Sequence, residues 1–195
     1  MIPKIVDIIC DNFESSLRRG EVPSVEDLLQ SVEEQHRAQL LYELLALEVE
    51  HKIKRGHIVY LDELRNRFPR EPEVLQRLFR SFLWEGSGFA AVGGADLMLR
   101  QFRLKAIVGR GSFGTVWLAD DTRLDREVAI KTPHAYEGQE QNGLKTALSE
   151  AGAVAKLRHP NILPVHEVAE VNDHWFMVTD FAAGGTLQQL SLIHI

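Results

Sequence analysis

Apolar residues recur every three or four positions through the first 84 residues, which is the period of an amphipathic helix. The first run extends from Ile2 to Leu17 and is followed by Gly20, a residue type that commonly ends helices. Ser24, with Asp27 three residues later, is typical of the start of a short second helix. Three further helices are predicted, over residues 35–55, 61–68 and 72–84. We interpret residues 1–84 as a helical extension whose leucine stripe forms the core of a bundle.

Glycine and serine interrupt this pattern in the segment EGSGFAAVGGAD, which begins at Glu85. Because the segment has small residues and few charges, residues 85–101 are predicted to form a linker. From Phe102 the period falls to two, with Phe102, Leu104 and Ala106 on one face of a predicted strand.

Four further strands are predicted from runs rich in apolar and β-branched residues, over residues 115–119, 128–131, 162–168 and 175–179. One helix is predicted over about residues 144–157, after a loop rich in glycine and glutamine. The fold class is therefore α+β, with an N-terminal all-α region followed by a five-stranded antiparallel sheet and one helix.

The turn between the first two predicted strands carries three glycines at a spacing typical of phosphate-binding loops. The pattern G-x-G-x-x-G-x-V occupies residues 109–116, and the third strand ends in VAIK at residues 128–131. Glycines let a backbone turn tightly and approach a triphosphate without any Cβ in the way. Val116 and Ala129 supply small apolar surface for an adenine ring, and Lys131 brings a positive charge to the phosphates.

Two other nucleotide-binding folds use similar glycine patterns. A dinucleotide-binding turn needs its glycines between a strand and a helix, whereas residues 115–119, TVWLA, predict a second strand. The string G-x-x-x-x-G-K-[ST] of a P-loop is absent from the sequence. Both folds are therefore disfavoured.

These motifs resemble the serine/threonine protein kinases of the eukaryotic-like bacterial family, over roughly residues 102–189. The resemblance implies the small, N-terminal lobe of a kinase, with ATP and Mg²⁺ as cofactors and proteins as substrates. It also implies an ATP-binding set, which comprises Val108, Gly109, Arg110, Gly111, Ser112, Phe113, Gly114, Thr115, Val116, Ala129, Lys131, Glu150, Thr179, Asp180 and Ala182.

Three of the implied roles lie outside the glycine pattern. Glu150 precedes the turn HPNI by about three helical turns, as the carboxylate that holds the kinase lysine does. Thr179 falls on the gatekeeper position, and Asp180 and Ala182 would offer backbone groups to the adenine edge. Asp180-Phe181-Ala182 is not interpreted as the metal-binding Asp-Phe-Gly motif, because no His-Arg-Asp loop stands upstream of it.

The sequence contains neither the catalytic-loop aspartate nor the metal-binding motif of a kinase. We therefore expect this chain to be an inactive fragment of a kinase, with no catalytic residue and no metal ligand of its own. Residues 190–195, LSLIHI, are also what a sequencing-library adapter encodes, and we interpret them as an adapter-derived tail. The alternative is a pseudokinase or scaffold whose helical region is a protein-interaction module.

Composition restricts the partners and the compartment. A net charge of −6 argues against nonspecific binding of nucleic acid, which needs a basic face. The single cysteine, Cys10, favours a reducing compartment, and neither a signal peptide nor a run of eighteen apolar residues is present. We expect a cytoplasmic protein with protein substrates and a protein partner for the helical region, with no nucleic acid and no membrane segment in this chain.

Overall fold

The computed structural model describes residues 4–83, 97–112, 114–134, 159, 161–171 and 174–184. The first of these ranges is mainly helical. Its five helices are α1 (Lys4–Arg18), α2 (Val25–Gln30), α3 (Glu34–Lys54), α4 (Leu61–Arg67) and α5 (Pro72–Leu83). Where the sequence predicted both ends of a helix, the observed ends lie within two residues of the predicted ones. This agreement arises because hydrophobic periodicity and capping residues are local signals.

Ser24 caps α2 as its sequence position predicts. The backbone N–H of Asp27 donates a hydrogen bond of 3.1 Å to the Ser24 hydroxyl oxygen. This bond satisfies one of the amide groups that have no partner inside the helix. Leucines from α3 and aromatic residues from α5 then fill the core of the bundle, with Leu40, Leu44 and Phe79 at most 2% exposed.

An ion-pair network centred on Arg67 joins three of these helices. The Arg67 guanidinium donates to both carboxylate oxygens of Glu26, at 2.6 and 3.0 Å, and to both of Glu48, at 2.9 and 2.8 Å. Glu48 is buried and also lies 2.8 Å from Lys52 Nζ. Hydrogen bonding from Arg67 lowers the pKa of Glu26 to about 2. The network therefore fixes α4 against α2 and α3.

Seven strands among the described residues form one antiparallel sheet, and six of them lie in the second half of the chain. The strands are β1 (Val59–Tyr60), β2 (Met98–Leu99), β3 (Phe102–Gly111), β4 (Gly114–Asp121), β5 (Arg126–Thr132), β6 (Val165–Val171) and β7 (His174–Asp180). Their order is β1-β3-β4-β5-β7-β6, and β2 also pairs with β3. The five predicted strands are β3 to β7, so the predicted α+β fold class is confirmed.

Two short strands come from segments that were not predicted to join the sheet. β1 lies inside the helical extension and pairs with β3, with Val59 opposite Ile107. β2 lies in the segment predicted as a linker, 85–101, and Leu99 there is fully buried. The last residues of that segment therefore belong to the sheet. The helix predicted over residues 144–157 lies outside the described residues.

A bulge in β3 changes the alternation that the sequence predicts. The register shifts between Leu104 and Ala106, and again between Ile107 and Gly109. Consequently Ile107, not Ala106, lies on the same face as Leu104. An extra residue reverses the side of the residues that follow it, and the second shift reverses them back. The prediction that Ala106 shares a face with Leu104 is therefore wrong.

One face of the sheet shares its hydrophobic core with the helices. Trp117, Ile130 and Val178 are aligned across β4, β5 and β7 and are at most 1% exposed. They belong to the same cluster of buried side chains as the leucines of α3 and the aromatic residues of α5. The helical extension thus packs against one face of the sheet.

Candidate nucleotide-binding site

The glycine pattern lies at a hairpin between two adjacent strands. Gly109 pairs with Val116, Arg110 with Thr115, and Gly111 with Gly114. Because a strand follows the glycines directly, the turn is not the strand-to-helix turn of a dinucleotide-binding fold. The structure therefore excludes that alternative for residues 109–116.

The three glycines differ in what they require. Gly114 has a φ of +132°, and a Cβ there would lie 2.1 Å from the carbonyl oxygen of Thr132. Both the conformation and the close approach of β5 therefore demand glycine. A Cβ at Gly109 or at Gly111 would meet no atom within 4 Å, so open space lies beside the backbone there.

The end of β5 holds the tip of the hairpin from one side. His134 Nε2 lies 2.7 Å from the carbonyl oxygen of Gly111, and the ring nitrogen is the donor because a carbonyl only accepts. Thr132 is buried, and its hydroxyl donates to the carbonyl oxygen of Thr115 at 3.3 Å. Trp117 Nε1 in turn donates to the Thr132 hydroxyl at 3.1 Å.

The predicted adenine and phosphate residues lie in two neighbouring rows on the face that the helices do not cover. In the first row Gly109 pairs with Val116 and Val116 with Lys131. In the second row Ala129 pairs with Thr179. Directly paired residues of an antiparallel sheet share a face, so these five residues form one continuous surface. All five are partly exposed.

Three predicted residues have side chains on the opposite face. Arg110 and Thr115 pair with each other between the Gly109–Val116 and Gly111–Gly114 pairs, and Thr115 is buried. Asp180 pairs with Val128, which is a residue of the buried face. The Asp180 carboxylate lies 2.6 Å from His166 Nε2. Only the backbone of these three residues is left to contact a nucleotide.

The remaining predicted residues lie around these rows. Val108 is partly exposed in the second bulge of β3, Ser112 is exposed at the turn, and Ala182 is exposed just after β7. Phe113 and Glu150 lie outside the described residues, so the predicted pairing of Lys131 with Glu150 stays a prediction.

Arg110 contacts the helical extension, a contact that no sequence signal predicted. Its Nη1 lies 3.2 Å from Glu50 Oε1 of α3, and its Cζ lies 5.0 Å from the centre of the Phe82 ring of α5. A guanidinium over an aromatic face is attracted by the negative face of the ring. The residue between two glycines of the hairpin is therefore anchored to the helices.

The second half of the chain is similar to a known family. Residues 102–193 match the family model of the protein kinase domain. The predicted resemblance to serine/threonine protein kinases is thereby confirmed over that half.

Two curated relatives show the extent of this similarity. Serine/threonine-protein kinase PrkC of Bacillus subtilis is 30% identical over 89 residues, which cover 46% of this chain and 14% of that protein. Serine/threonine-protein kinase PksC of Streptomyces coelicolor is 42% identical over 86 residues, which cover 44% of this chain and 16% of that protein. The matched part of the chain thus spans only about a sixth of the length of these relatives.

Among solved structures, a chain titled PpkA-294 apo form is similar to this one. The TM-score is 0.46 and the identity 28%, and the match covers 55% of this chain and 44% of that one.

The part of the chain that the structure describes contains no metal-binding cluster and no membrane-spanning helix. No group of three or more His, Cys, Asp or Glu side chains there could hold a metal ion. No helix in those ranges is long and apolar enough to cross a lipid bilayer.

Proposed function

We propose that residues 102–189 form the ATP-binding lobe of a serine/threonine protein kinase. One observation carries the proposal: the glycine hairpin, Val116, Ala129, Lys131 and Thr179 share one partly exposed face of the sheet. The match to the protein kinase domain supports it. The complete protein would transfer the γ-phosphoryl group of ATP to serine or threonine hydroxyls of protein substrates.

The residues on this face fit the parts of ATP in order. Open space beside Gly109 and Gly111 admits phosphate oxygens close to the backbone N–H groups. Lys131 lies opposite Val116 in the first row and offers an ammonium group to the α- and β-phosphates. Val116 and Ala129 present apolar surface for the adenine ring, and the backbone of Asp180 and Ala182 lies at the end of β7 for its polar edge.

The chain's own contribution is to bind and orient the nucleotide. Mg²⁺ would compensate the phosphate charge during transfer, but the described residues offer it no carboxylate cluster. The sequence also has no His-Arg-Asp or Asp-Phe-Gly string. We therefore propose that these 195 residues bind ATP weakly and transfer no phosphate by themselves.

Replacement of the anchor lysine tests the proposal. The test uses a protein expressed from the locus sequenced past residue 189. Lys131→Met should reduce phosphate transfer to a basic protein substrate by at least about 100-fold, because the charge that orients the α- and β-phosphates for transfer is lost. Radiolabelled ATP measures the transfer. Lys105→Met is the matched control, since Lys105 pairs with Asp120 and Glu127, at 3.1 and 2.8 Å. Wild-type transfer by Lys131→Met would contradict the assigned role.

A further inference from the structure

We propose that the helical extension is a built-in positioning element for the glycine hairpin, and that it acts through Arg110. The positioning itself is a property of the free chain. Its consequence for nucleotide affinity rests on the proposed function. Two independent connections between the helices and β3 carry the inference, one through the backbone and one through side chains.

The backbone connection is β1. Val59 and Tyr60 pair with Ile107 and Ala106, so the helical extension is hydrogen-bonded to β3 just before the first glycine. β1 is also flanked directly by α4, which begins at Leu61. Movement of the helices relative to the sheet would therefore be transmitted to the start of the hairpin.

The side-chain connection is the contact of Arg110 with α3 and α5. Its side chain is 20% exposed, with the guanidinium placed between the Glu50 carboxylate and the Phe82 ring. An ion pair between exposed side chains contributes little, but partial burial and a simultaneous aromatic contact both strengthen a guanidinium interaction. We therefore interpret this contact as one that restrains Arg110, and not as an incidental ion pair on the surface.

The position of Arg110 in the hairpin explains why this contact would affect the glycine backbone. The residue stands between Gly109 and Gly111, which have no side chains and have open space where a Cβ would lie. Glycine also leaves the backbone the widest conformational freedom. Arg110 therefore adds a restraint on the face opposite the proposed phosphates, beside the contact of His134 with the carbonyl oxygen of Gly111. A preorganised hairpin loses less entropy on binding.

Hydrogen exchange of the nucleotide-free 195-residue chain tests the inference. Arg110→Met keeps the length of the side chain and removes its charge, and Glu50→Gln keeps the size of its partner. Both should speed amide exchange in peptides covering residues 106–116 by at least about threefold, while exchange in α1 stays unchanged. Lys54→Gln is the matched control, because Lys54 is another partner of Glu50, at 3.5 Å, and lies on α3 rather than on the hairpin.

The double variant separates a direct contact from two unrelated effects. If Glu50 acts on the hairpin through Arg110, the double substitution should exchange no faster than Arg110→Met alone. Additive effects, or unchanged hairpin exchange in Arg110→Met and Glu50→Gln, would overturn the inference. Urea unfolding of each variant should show that it is folded. Phe82→Leu, which removes the aromatic ring beside Arg110, provides a third test of the contact.

A titration with ATP then tests the consequence separately. The affinity should fall about threefold or more in Arg110→Met and stay at the parent value in Lys54→Gln. Equal affinity in Arg110→Met and the parent would overturn the consequence for binding. If the parent chain binds no ATP at all, the proposed function fails, while the exchange experiment still decides whether the helices position the hairpin.

Discussion

At the scale of single residues, the three glycines of the hairpin look equivalent in the sequence but have different surroundings. Gly114 is in a left-handed conformation against the backbone of Thr132, whereas Gly109 and Gly111 face open space. A spacing pattern shows that glycines are present, but it does not show which of them the fold itself requires. The positive φ of Gly114 and the approach of Thr132 in β5 distinguish it from the other two.

Substitution by alanine should separate the two kinds of glycine. Gly114→Ala should lower the free energy of unfolding by about 2–4 kcal/mol, because it adds both strain at positive φ and a clash with backbone. Gly109→Ala, the matched control, should change it by less than about 1 kcal/mol. Urea unfolding followed by tryptophan fluorescence would measure both values, and equal losses in the two variants would contradict the assignment.

The direction of side chains was the least predictable property of the candidate site. Lys131 and Ala129 lie on one face of β5, because β5 is regular and its alternation is undisturbed. Arg110 points to the helices instead, on the same face as Leu104, because the two register shifts of β3 cancel. The glycine spacing marks this position but does not show which face its side chain occupies.

At the scale of elements, the helices were predictable and their attachments were not. Periodicity and caps placed α1 to α5 close to their observed bounds, because those signals act within one or two turns of chain. β1 has only two residues, Val59 and Tyr60, and gives no periodic signal. It forms because β3 offers a free edge to pair with, which is information from elsewhere in the sequence.

The network around Arg67 makes the helical extension sensitive to acid. Glu26 has a pKa of about 2 in the folded protein, below its ordinary value of 4.5. Its interaction with Arg67 therefore stabilises the fold fully above pH 4.5. Stability should be lost as the pH falls from about 4.5 towards 2, where the carboxylate becomes protonated. Urea unfolding followed by circular dichroism across that pH range would measure the loss.

Substitution of the central arginine tests the same network. Arg67→Met should lower the free energy of unfolding at neutral pH by about 3 kcal/mol, since it leaves the buried Glu48 with less compensation. It should also flatten the dependence on pH below 4.5. Arg18→Gln, which removes an exposed pair with Glu14, is the control and should cost less than about 0.5 kcal/mol. An unchanged acid profile in Arg67→Met would contradict this account.

At the scale of the whole molecule, the helices and the sheet share one core. Buried residues of α3 and α5 belong to the same cluster as Trp117 and Phe176 of the sheet. The sequence suggested two regions joined by a linker, because composition changes sharply between residues 85 and 101. Composition reports local flexibility, but it does not report whether the regions on either side pack together.

Removal of the helices should therefore damage the sheet. A chain beginning at Leu97 would expose the face that carries Trp117, Ile130 and Val178, and exposed apolar patches favour association. We expect aggregation or loss of native tryptophan fluorescence in that variant. Size-exclusion chromatography with light scattering would show it, with the full chain as control. A monodisperse, folded sheet without the helices would contradict the shared core.

The central claim is that ATP binds the face of the sheet opposite the helices. Titration of the isotopically labelled 195-residue chain with ATP, followed by backbone NMR, tests it most directly and tolerates weak affinity. Saturable shifts should concentrate at Gly109, Val116, Ala129, Lys131 and Thr179. Shifts confined to the helical extension, or none at millimolar ATP, would contradict the claim.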